Sequence, residues 1–264
     1  MSANILVFDS GVGGLSVVDS LKRRCLDAKI DYLFDEAFFP YGELEQQQLI
    51  DRVCVLIKDA VIRLQTDLLV IACNSASTLA LPKLRAILDI PIVGVVPAIK
   101  PAANLSVSKR ILVLATPGTV KRQYTDQLIQ DFAADCDVKL QGSTRLVELA
   151  EKQLRAGSIE QSDVDAIALQ LCSDSWYPDV VVLACTHFPL LKTYLQASYG
   201  NTVTLLDSGD AIARRVQSLL ALESDGTEGM VTGLGLAYTT APKVDAVLAS
   251  SLIQTGFKDL RLFE

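Results

Sequence analysis

The 264-residue sequence is poor in features that mark several common protein classes. It holds one histidine, His187, and its six cysteines form no C-x-x-C pair, so we expect no metal site. It has no run of about 18 consecutive apolar residues, which argues against a transmembrane helix. The start, MSANILVFDSG, lacks the basic and long apolar segments of a signal peptide. We therefore expect a cytoplasmic protein with reduced cysteines and no membrane partner.

Positive charge is also scarce. The chain has 24 Lys and Arg against 31 Asp and Glu, a net charge of −7. Nucleic-acid-binding proteins usually present a basic surface, so we expect no nucleic-acid partner. A few local dipoles could still hold one small anion, so the acidity does not exclude an acidic substrate.

Half of the residues are hydrophobic, and they are arranged in short runs that alternate with helical patterns. Buried strands are predicted at 5–8, 67–72, 92–96, 111–115, 180–184 and 203–206. Helices are predicted at 46–65, 144–156 and 211–222, followed by an exposed turn at 223–229, a strand at 236–239 and a helix at 242–253. Continuous rather than alternating hydrophobicity is typical of parallel strands covered on both faces. The pattern predicts an α/β fold with parallel sheets.

The sequence also contains a weak internal repeat. ILVFDSGVG (5–13) resembles ILVLATPGT (111–119), and LLVIACNSAS (68–77) resembles VVVLACTHFP (180–189). Two related α/β halves would explain this spacing. In open α/β sheets ligands bind beyond the carboxyl ends of the strands, which is where the polar residues of these segments are predicted to lie.

Cys73 and Cys185 are the first candidates for chemistry. Each follows a predicted strand and an alanine, and each precedes two hydrogen-bonding residues, Asn74-Ser75 or Thr186-His187. Backbone N–H groups at such a turn favour a thiolate. A free cysteine is more often a small buried hydrophobe, which is our interpretation of the other four. These are Cys25, Cys54, Cys136 and Cys172.

Two further residues could act on these thiols. The imidazole of His187 could lower the pKa of the Cys185 thiol or exchange a proton with it, or His187 could be only a buried, satisfied polar residue. Asp9 could accept a proton from Cys73, or it could merely cap the following helix. The sequence leaves both choices open.

Other segments give weaker signals. DSGVGGL (9–15) lacks the third glycine of a dinucleotide-binding loop, because Ser16 takes its place, so a nicotinamide cofactor is not favoured. Tyr41-Gly42 could be only a turn, or its hydroxyl and N–H could reach a substrate carboxylate. Thr116 and Thr119 could bind a ligand or cap a helix.

Taken together, these motifs resemble those of the bacterial glutamate racemases, members of the cofactor-independent Asp/Glu racemase family. The matching segments, from Ile5 to about Val216, are FDSGVGGL, FPYG with Asp35 upstream, ACNSAS, GVVPAIKPA, ATPGTV, ACTHFPLL and LLDSGDAIA. The resemblance implies two pseudo-symmetric α/β domains, with mainly parallel sheets flanked by helices and an active site in the cleft between them. We expect one domain from 1–97 with 208–264 and the other from 98–207.

The resemblance further implies that the chain interconverts L- and D-glutamate without a cofactor and supplies D-glutamate for peptidoglycan. Cys73 would act on the D-enantiomer with the help of Asp9, and Cys185 on the L-enantiomer with the help of His187. The alternatives are a related racemase for aspartate or another amino acid, and a non-catalytic module that binds an amino acid or nucleotide.

The resemblance also implies a set of ligand contacts. They are Asp9, Ser10, Tyr41, Gly42, Asn74, Ser75, Thr116, Thr119, Thr186 and His187. Asp35 would have a supporting role, and either Glu148 or Glu151 would occupy the place of a family acidic residue. Racemases of this family are often homodimers, but the sequence identifies no interface.

Overall fold

The computed structural model describes residues 3–25, 27–223 and 233–264. They form two compact units, Met1–Val95 with Gly209–Glu264 and Val96–Ser208. Parallel sheets flanked by helices confirm the predicted α/β fold class. The exposed turn predicted at 223–229 lies, from residue 224 onwards, outside the described residues. In the ranges that are described, no helix is long and apolar enough to cross a membrane.

The strands and helices are as follows. The described strands are β1 (Asn4–Asp9), β2 (Lys29–Phe34), β3 (Leu68–Ile71), β4 (Ile92–Gly94), β5 (Arg110–Ala115), β6 (Asp137–Gly142), β7 (Val180–Leu183), β8 (Thr204–Leu206), β9 (Gly233–Thr239) and β10 (Leu260–Leu262). The described helices are α1 (Leu15–Arg24), α2 (Gln46–Arg63), α3 (Asn74–Ile87), α4 (Ile99–Leu105), α5 (Pro117–Val120), α6 (Gln123–Phe132), α7 (Thr144–Ala156), α8 (Gln161–Ala168), α9 (Lys192–Tyr199), α10 (Gly209–Glu223) and α11 (Ala246–Thr255).

The described strands of the first unit form a sheet in the order β10-β9-β2-β1-β3-β4, in which neighbouring strands are parallel. Backbone hydrogen bonds continue past the strand ends. Asp35 N–H donates to the Asp9 carbonyl at 3.0 Å, and Ala72 N–H donates to the Phe8 carbonyl at 2.8 Å. The segments that follow β1, β2 and β3 therefore lie side by side at one edge of the sheet.

Both faces of this sheet are buried. Leu6 and Phe8 of β1 belong to a core cluster that also contains Val53 of α2 and Leu84 of α3. The residues that alternate with Leu6 and Phe8, such as Val7, are equally buried and point to the opposite face. Helices α1 and α10 pack against each other. This two-sided burial explains why the strands are continuously hydrophobic.

The second unit has a described sheet in the order β6-β5-β7-β8, again with parallel neighbours. Ile111 and Val113 of β5 and Val182 of β7 lie in its core with apolar residues of α4. Ala184 N–H donates to the Leu114 carbonyl at 2.7 Å, so the segments that follow β5 and β7 leave the sheet at the same edge.

Gly14, at the start of α1, lies where the backbone closely approaches two buried side chains. A Cβ atom on Gly14 would lie 2.8 Å from the Tyr32 ring and 2.9 Å from Asp9 Cβ. The Tyr32 hydroxyl also donates a hydrogen bond to the Gly11 carbonyl, which fixes the ring beside this turn. Only glycine fits here without a shift of these neighbours.

We expect Gly14→Ala to lower the free energy of unfolding by about 1–3 kcal/mol, because the added methyl group has no space. Denaturant unfolding would measure the loss. Asp19→Ala, an exposed position on α1, is the control and should stay within about 0.5 kcal/mol of the native chain. Equal stability of the two variants would contradict the prediction.

Candidate active site

Cys73 lies between β3 and α3, as the N-cap residue of that 14-residue helix. Its carbonyl accepts the Ser77 N–H at 2.8 Å, and the residue is 6% exposed. The first N–H groups of a helix lack partners within the helix, and the helix dipole favours negative charge there. This place at the start of α3 is of the kind that favours a thiolate.

Ser10 connects Cys73 to Asp9. The Ser10 hydroxyl oxygen lies 3.8 Å from Cys73 Sγ and 3.3 Å from Asp9 Oδ1. Asp9 is fully buried, and its Oδ1 also accepts the backbone N–H of Ser10 at 2.6 Å and of Gly11 at 3.3 Å. The carboxylate thus closes the turn after β1, and the hydroxyl joins it to the thiol. Whether Asp9 also takes a proton from Cys73 stays a prediction.

Asn74 and Ser75, in the first turn of α3, are both buried. Among the described residues, Asn74 Oδ1 has no hydrogen-bond donor. A buried acceptor without a donor typically costs about 1–3 kcal/mol. The atom is therefore suited to accept a hydrogen bond from a ligand N–H group.

Tyr41 and Gly42 lie in a 3-10 turn, Tyr41–Glu43, and Tyr41 is buried. The Tyr41 hydroxyl donates a hydrogen bond to Asp35 Oδ2 at 2.6 Å. Burial, followed by the charge of Asp35, raises the pKa of Tyr41 far above its usual range, so the hydroxyl stays protonated. Because its proton is engaged with Asp35, a ligand carboxylate would need other donors of this turn, such as the N–H of Gly42.

Cys185 follows β7 and precedes a 3-10 helix, Phe188–Leu191. Its Sγ lies 3.8 Å from His187 Nδ1, and His187 Nε2 lies 2.8 Å from Glu151 Oε1. Glu151, on α7, is held from its other side by Arg155, whose Nε donates to Oε2 at 3.3 Å. Thiol, imidazole and carboxylate thus form a continuous chain, in which Cys185 and His187 are buried.

The position of His187 sets its charge. Burial opposes protonation, but the hydrogen bonds and negative charges of Cys185 and Glu151 outweigh it and raise the pKa of His187 to about 10. The raised pKa favours the imidazolium form of the ring at neutral pH. An imidazolium next to a sulfur stabilises a thiolate and can give it a proton.

Glu148, the other acidic candidate of α7, lies elsewhere. Its carboxylate pairs with Arg145 at 2.9 Å, and both side chains are exposed. The structure therefore selects Glu151 as the acidic residue beside His187, a choice that the sequence left open.

Thr116 and Thr119 follow β5. Thr116 is the N-cap of α5, where its hydroxyl accepts the Thr119 N–H at 3.3 Å and lies 3.0 Å from the Thr119 hydroxyl. Thr116 therefore caps a helix, which is one of the two roles that the sequence analysis considered for these threonines. Ligand contacts by these residues stay a prediction, as does one by Thr186, which is buried beside Cys185.

The other four cysteines lie outside these groups. Cys25 and Cys54 are buried as predicted, whereas Cys136 and Cys172 are only partly buried, and the Cys136 thiol donates to Asp135 Oδ1 at 3.5 Å. Burial raises the pKa of each of their thiols, as expected of small hydrophobic side chains. Within the described ranges no disulfide joins any of the six cysteines.

The family model of the Asp/Glu/Hydantoin racemases matches residues 5–216, which include both cysteine segments. The chain belongs to the Asp/Glu/hydantoin racemase family. It is 49% identical to a glutamate racemase of Shewanella loihica over 100% of this chain and 97% of that one. It is 48% identical to a glutamate racemase of Vibrio vulnificus, over 98% of this chain and 97% of the relative.

This racemase-family chain is also similar to a solved glutamate racemase structure. The crystal structure of Escherichia coli glutamate racemase, in complex with L-glutamate and the activator UDP-MurNAc-ala, is 41% identical to it. The TM-score is 0.92, and the match covers 100% of this chain and 98% of that one.

Sequence reasoning did not single out Arg52 or Arg155 in this member of the racemase family. Arg155 had a detectable signal, because it stands four positions after Glu151 on a predicted helix, a spacing at which opposite charges meet. Arg52 had none, because its partner Asp35 is 17 positions away.

We expect Glu151→Gln to lower the pKa of His187, because it removes the negative charge that holds the imidazolium while the burial remains. The chain has one histidine, so NMR titration of its ring is unambiguous. The control is Glu148→Gln, which alters an exposed ion pair on the same helix and should leave the His187 titration unchanged.

The interaction between His187 and Glu151 also contributes to the pH dependence of the unfolding free energy. The pKa of His187 in the folded chain lies above its unfolded value of about 6.5, so its stabilising contribution is full below that pH and is lost as pH rises through about 10. The difference in unfolding free energy between the native chain and Glu151→Gln should shrink over this window. A difference that does not change with pH would contradict the assignment.

Proposed function

We propose that this chain is a glutamate racemase, which interconverts L- and D-glutamate without a cofactor and supplies D-glutamate for peptidoglycan. The observation that carries the proposal is the pair of strand-end cysteines, each with a proton-carrying partner, in a chain similar over its whole length to glutamate racemases. We also propose that the two compact units are its domains, with bounds near residues 97 and 208.

The reaction demands two acid–base groups. Inverting a stereocentre by proton transfer needs a base on one face of the α-carbon and an acid on the other, since otherwise the proton returns to the face it left. In the proposed mechanism the Cys73 thiolate removes the proton from D-glutamate and the Cys185 thiol delivers one, with the roles reversed for L-glutamate. The reference pKa of a thiol, about 8.5, is close enough to neutrality for both forms to be accessible.

The partners of the thiols take different roles in this proposal. His187, held as an imidazolium by Glu151, stabilises the Cys185 thiolate and shares its proton. Ser10 and Asp9 form the corresponding link at Cys73. Because one thiol must be protonated while the other is not, their two titrations are coupled.

Substrate binding is assigned to polar groups near each thiol. Asn74 Oδ1, buried without a described donor, is suited to the α-ammonium group of glutamate. The N–H of Gly42 and the hydroxyls of Ser10, Ser75 and Thr186 are the proposed donors to its carboxylates. Thr116 and Thr119 complete the proposed set.

We expect Cys73→Ser and Cys185→Ser each to reduce racemisation of glutamate by about 10²–10⁴-fold in both directions, because a serine hydroxyl does not ionise near neutral pH. Polarimetry from each enantiomer would measure the loss. Cys172→Ser, which alters a partly buried cysteine outside both motifs, is the control and should keep full activity.

The same variants separate the alternatives. Full activity in either Cys73→Ser or Cys185→Ser would refute the two-base mechanism. A native chain that exchanges the α-proton of aspartate in deuterated water faster than that of glutamate would instead be an aspartate racemase. Glutamate binding without any proton exchange would indicate a binding module.

We expect racemisation to survive dialysis against a chelator and treatment with hydroxylamine, which captures pyridoxal phosphate. The proposed proton transfer uses only the two thiols. A loss of activity that is restored by a metal ion or by pyridoxal phosphate would overturn the cofactor-independent mechanism.

A further inference from the structure

Asp35, which follows β2, is the centre of a buried hydrogen-bond network in the first unit. Its side chain is fully buried. The carboxylate accepts hydrogen bonds from Arg52 Nε at 2.8 Å and Nη2 at 2.7 Å, from the Tyr41 hydroxyl at 2.6 Å, and from the Thr240 hydroxyl at 2.6 Å. Arg52 is thus bound in the two-pronged geometry that is specific to a guanidinium.

Arg52 also contacts the segment of Tyr41 directly. It lies on α2, and its guanidinium carbon is 4.4 Å from the centre of the Phe38 ring. Phe38 ends one 3-10 turn, Glu36–Phe38, and Tyr41 begins the next. A single side chain therefore holds this segment at two points, at Phe38 by stacking and at Tyr41 through Asp35.

Charge explains why Arg52 matters to Tyr41. A buried carboxylate without a cation is costly, so without Arg52 the Asp35 side chain would move toward water or turn to another donor. Either change would disturb the acceptor to which the Tyr41 hydroxyl is tied. The turn would then lose its anchor to the end of β2.

We infer that Arg52 is a positioning residue that acts through Asp35 and Tyr41 to fix the N–H of Gly42 for substrate binding. The inference rests on the proposed function, because that function assigns Gly42 to the substrate. Arg52 itself need not touch the substrate, so its removal should weaken binding more than it slows the proton transfer.

The test compares Arg52→Met with Arg63→Met. Arg63 is a matched control because it lies on the same helix, stacks over Phe263 at 4.3 Å and pairs with Asp59 at 3.0 Å. We expect Arg52→Met to raise the KM for both enantiomers about tenfold and to change kcat less than about threefold, since a small misplacement of a binding group is enough. Arg63→Met should leave KM unchanged. Arg52→Lys keeps the positive charge but not the two-pronged guanidinium geometry, so its KM should lie between those of the native chain and Arg52→Met.

A second readout does not depend on activity. In 15N-labelled protein without substrate, Arg52→Met should shift the amide resonance of Gly42, while Arg63→Met should leave it in place. If both variants leave KM and this resonance as in the native chain, the inference is wrong. If the native chain does not racemise glutamate, the proposed function fails, and the Gly42 resonance alone then decides whether Arg52 holds the turn.

Discussion

The parallel pairing of β1 with β2 and β3 is the constraint on which the first group of polar residues depends. Each strand ends at the same edge of the sheet, so Asp35, Asp9 and Cys73 lie in that order across the edge although they are far apart in sequence. The pairing of β5 with β7 has the same effect in the second unit. At such an edge the chain turns into helices, and their first N–H groups remain available for negative charge.

The two thiols proposed to be catalytic have different partners. Cys73 is near a hydroxyl and the start of a long helix, whereas Cys185 is near an imidazolium that Glu151 keeps charged. A charged neighbour acts more strongly than a helix terminus, which typically contributes about 0.3–1 kcal/mol. Unequal surroundings are compatible with a pair in which one sulfur is ionised while the other is protonated.

Short sequence patterns predicted most of the strands and the positions of the candidate site residues at the strand ends. The continuous apolar runs identified seven of the described strands, but β2, β6 and β10 were missed. In β2, Lys29 and Asp31 interrupt the hydrophobicity, and they pair with each other at 2.6 Å. Strand-end motifs likewise pointed to the cysteines and His187. The choice between Glu148 and Glu151 could not be predicted, because it depends on how α7 packs against the segment after β7, which only the folded chain determines.

Asp35 and Asp9, two buried carboxylates of the first unit, have different hydrogen-bond partners. Asp35 is neutralised by the guanidinium of Arg52, which suits a residue that only holds a turn in place. Asp9 accepts the N–H groups of Ser10 and Gly11 in its own turn, and the Ser10 hydroxyl lies between its carboxylate and the Cys73 sulfur. In the proposed mechanism a carboxylate near Cys73 opposes a thiolate there, while the start of α3 favours one. Two opposing influences of this kind suit the proposed role of Cys73, since a group that alternates between acid and base must be able to take both forms.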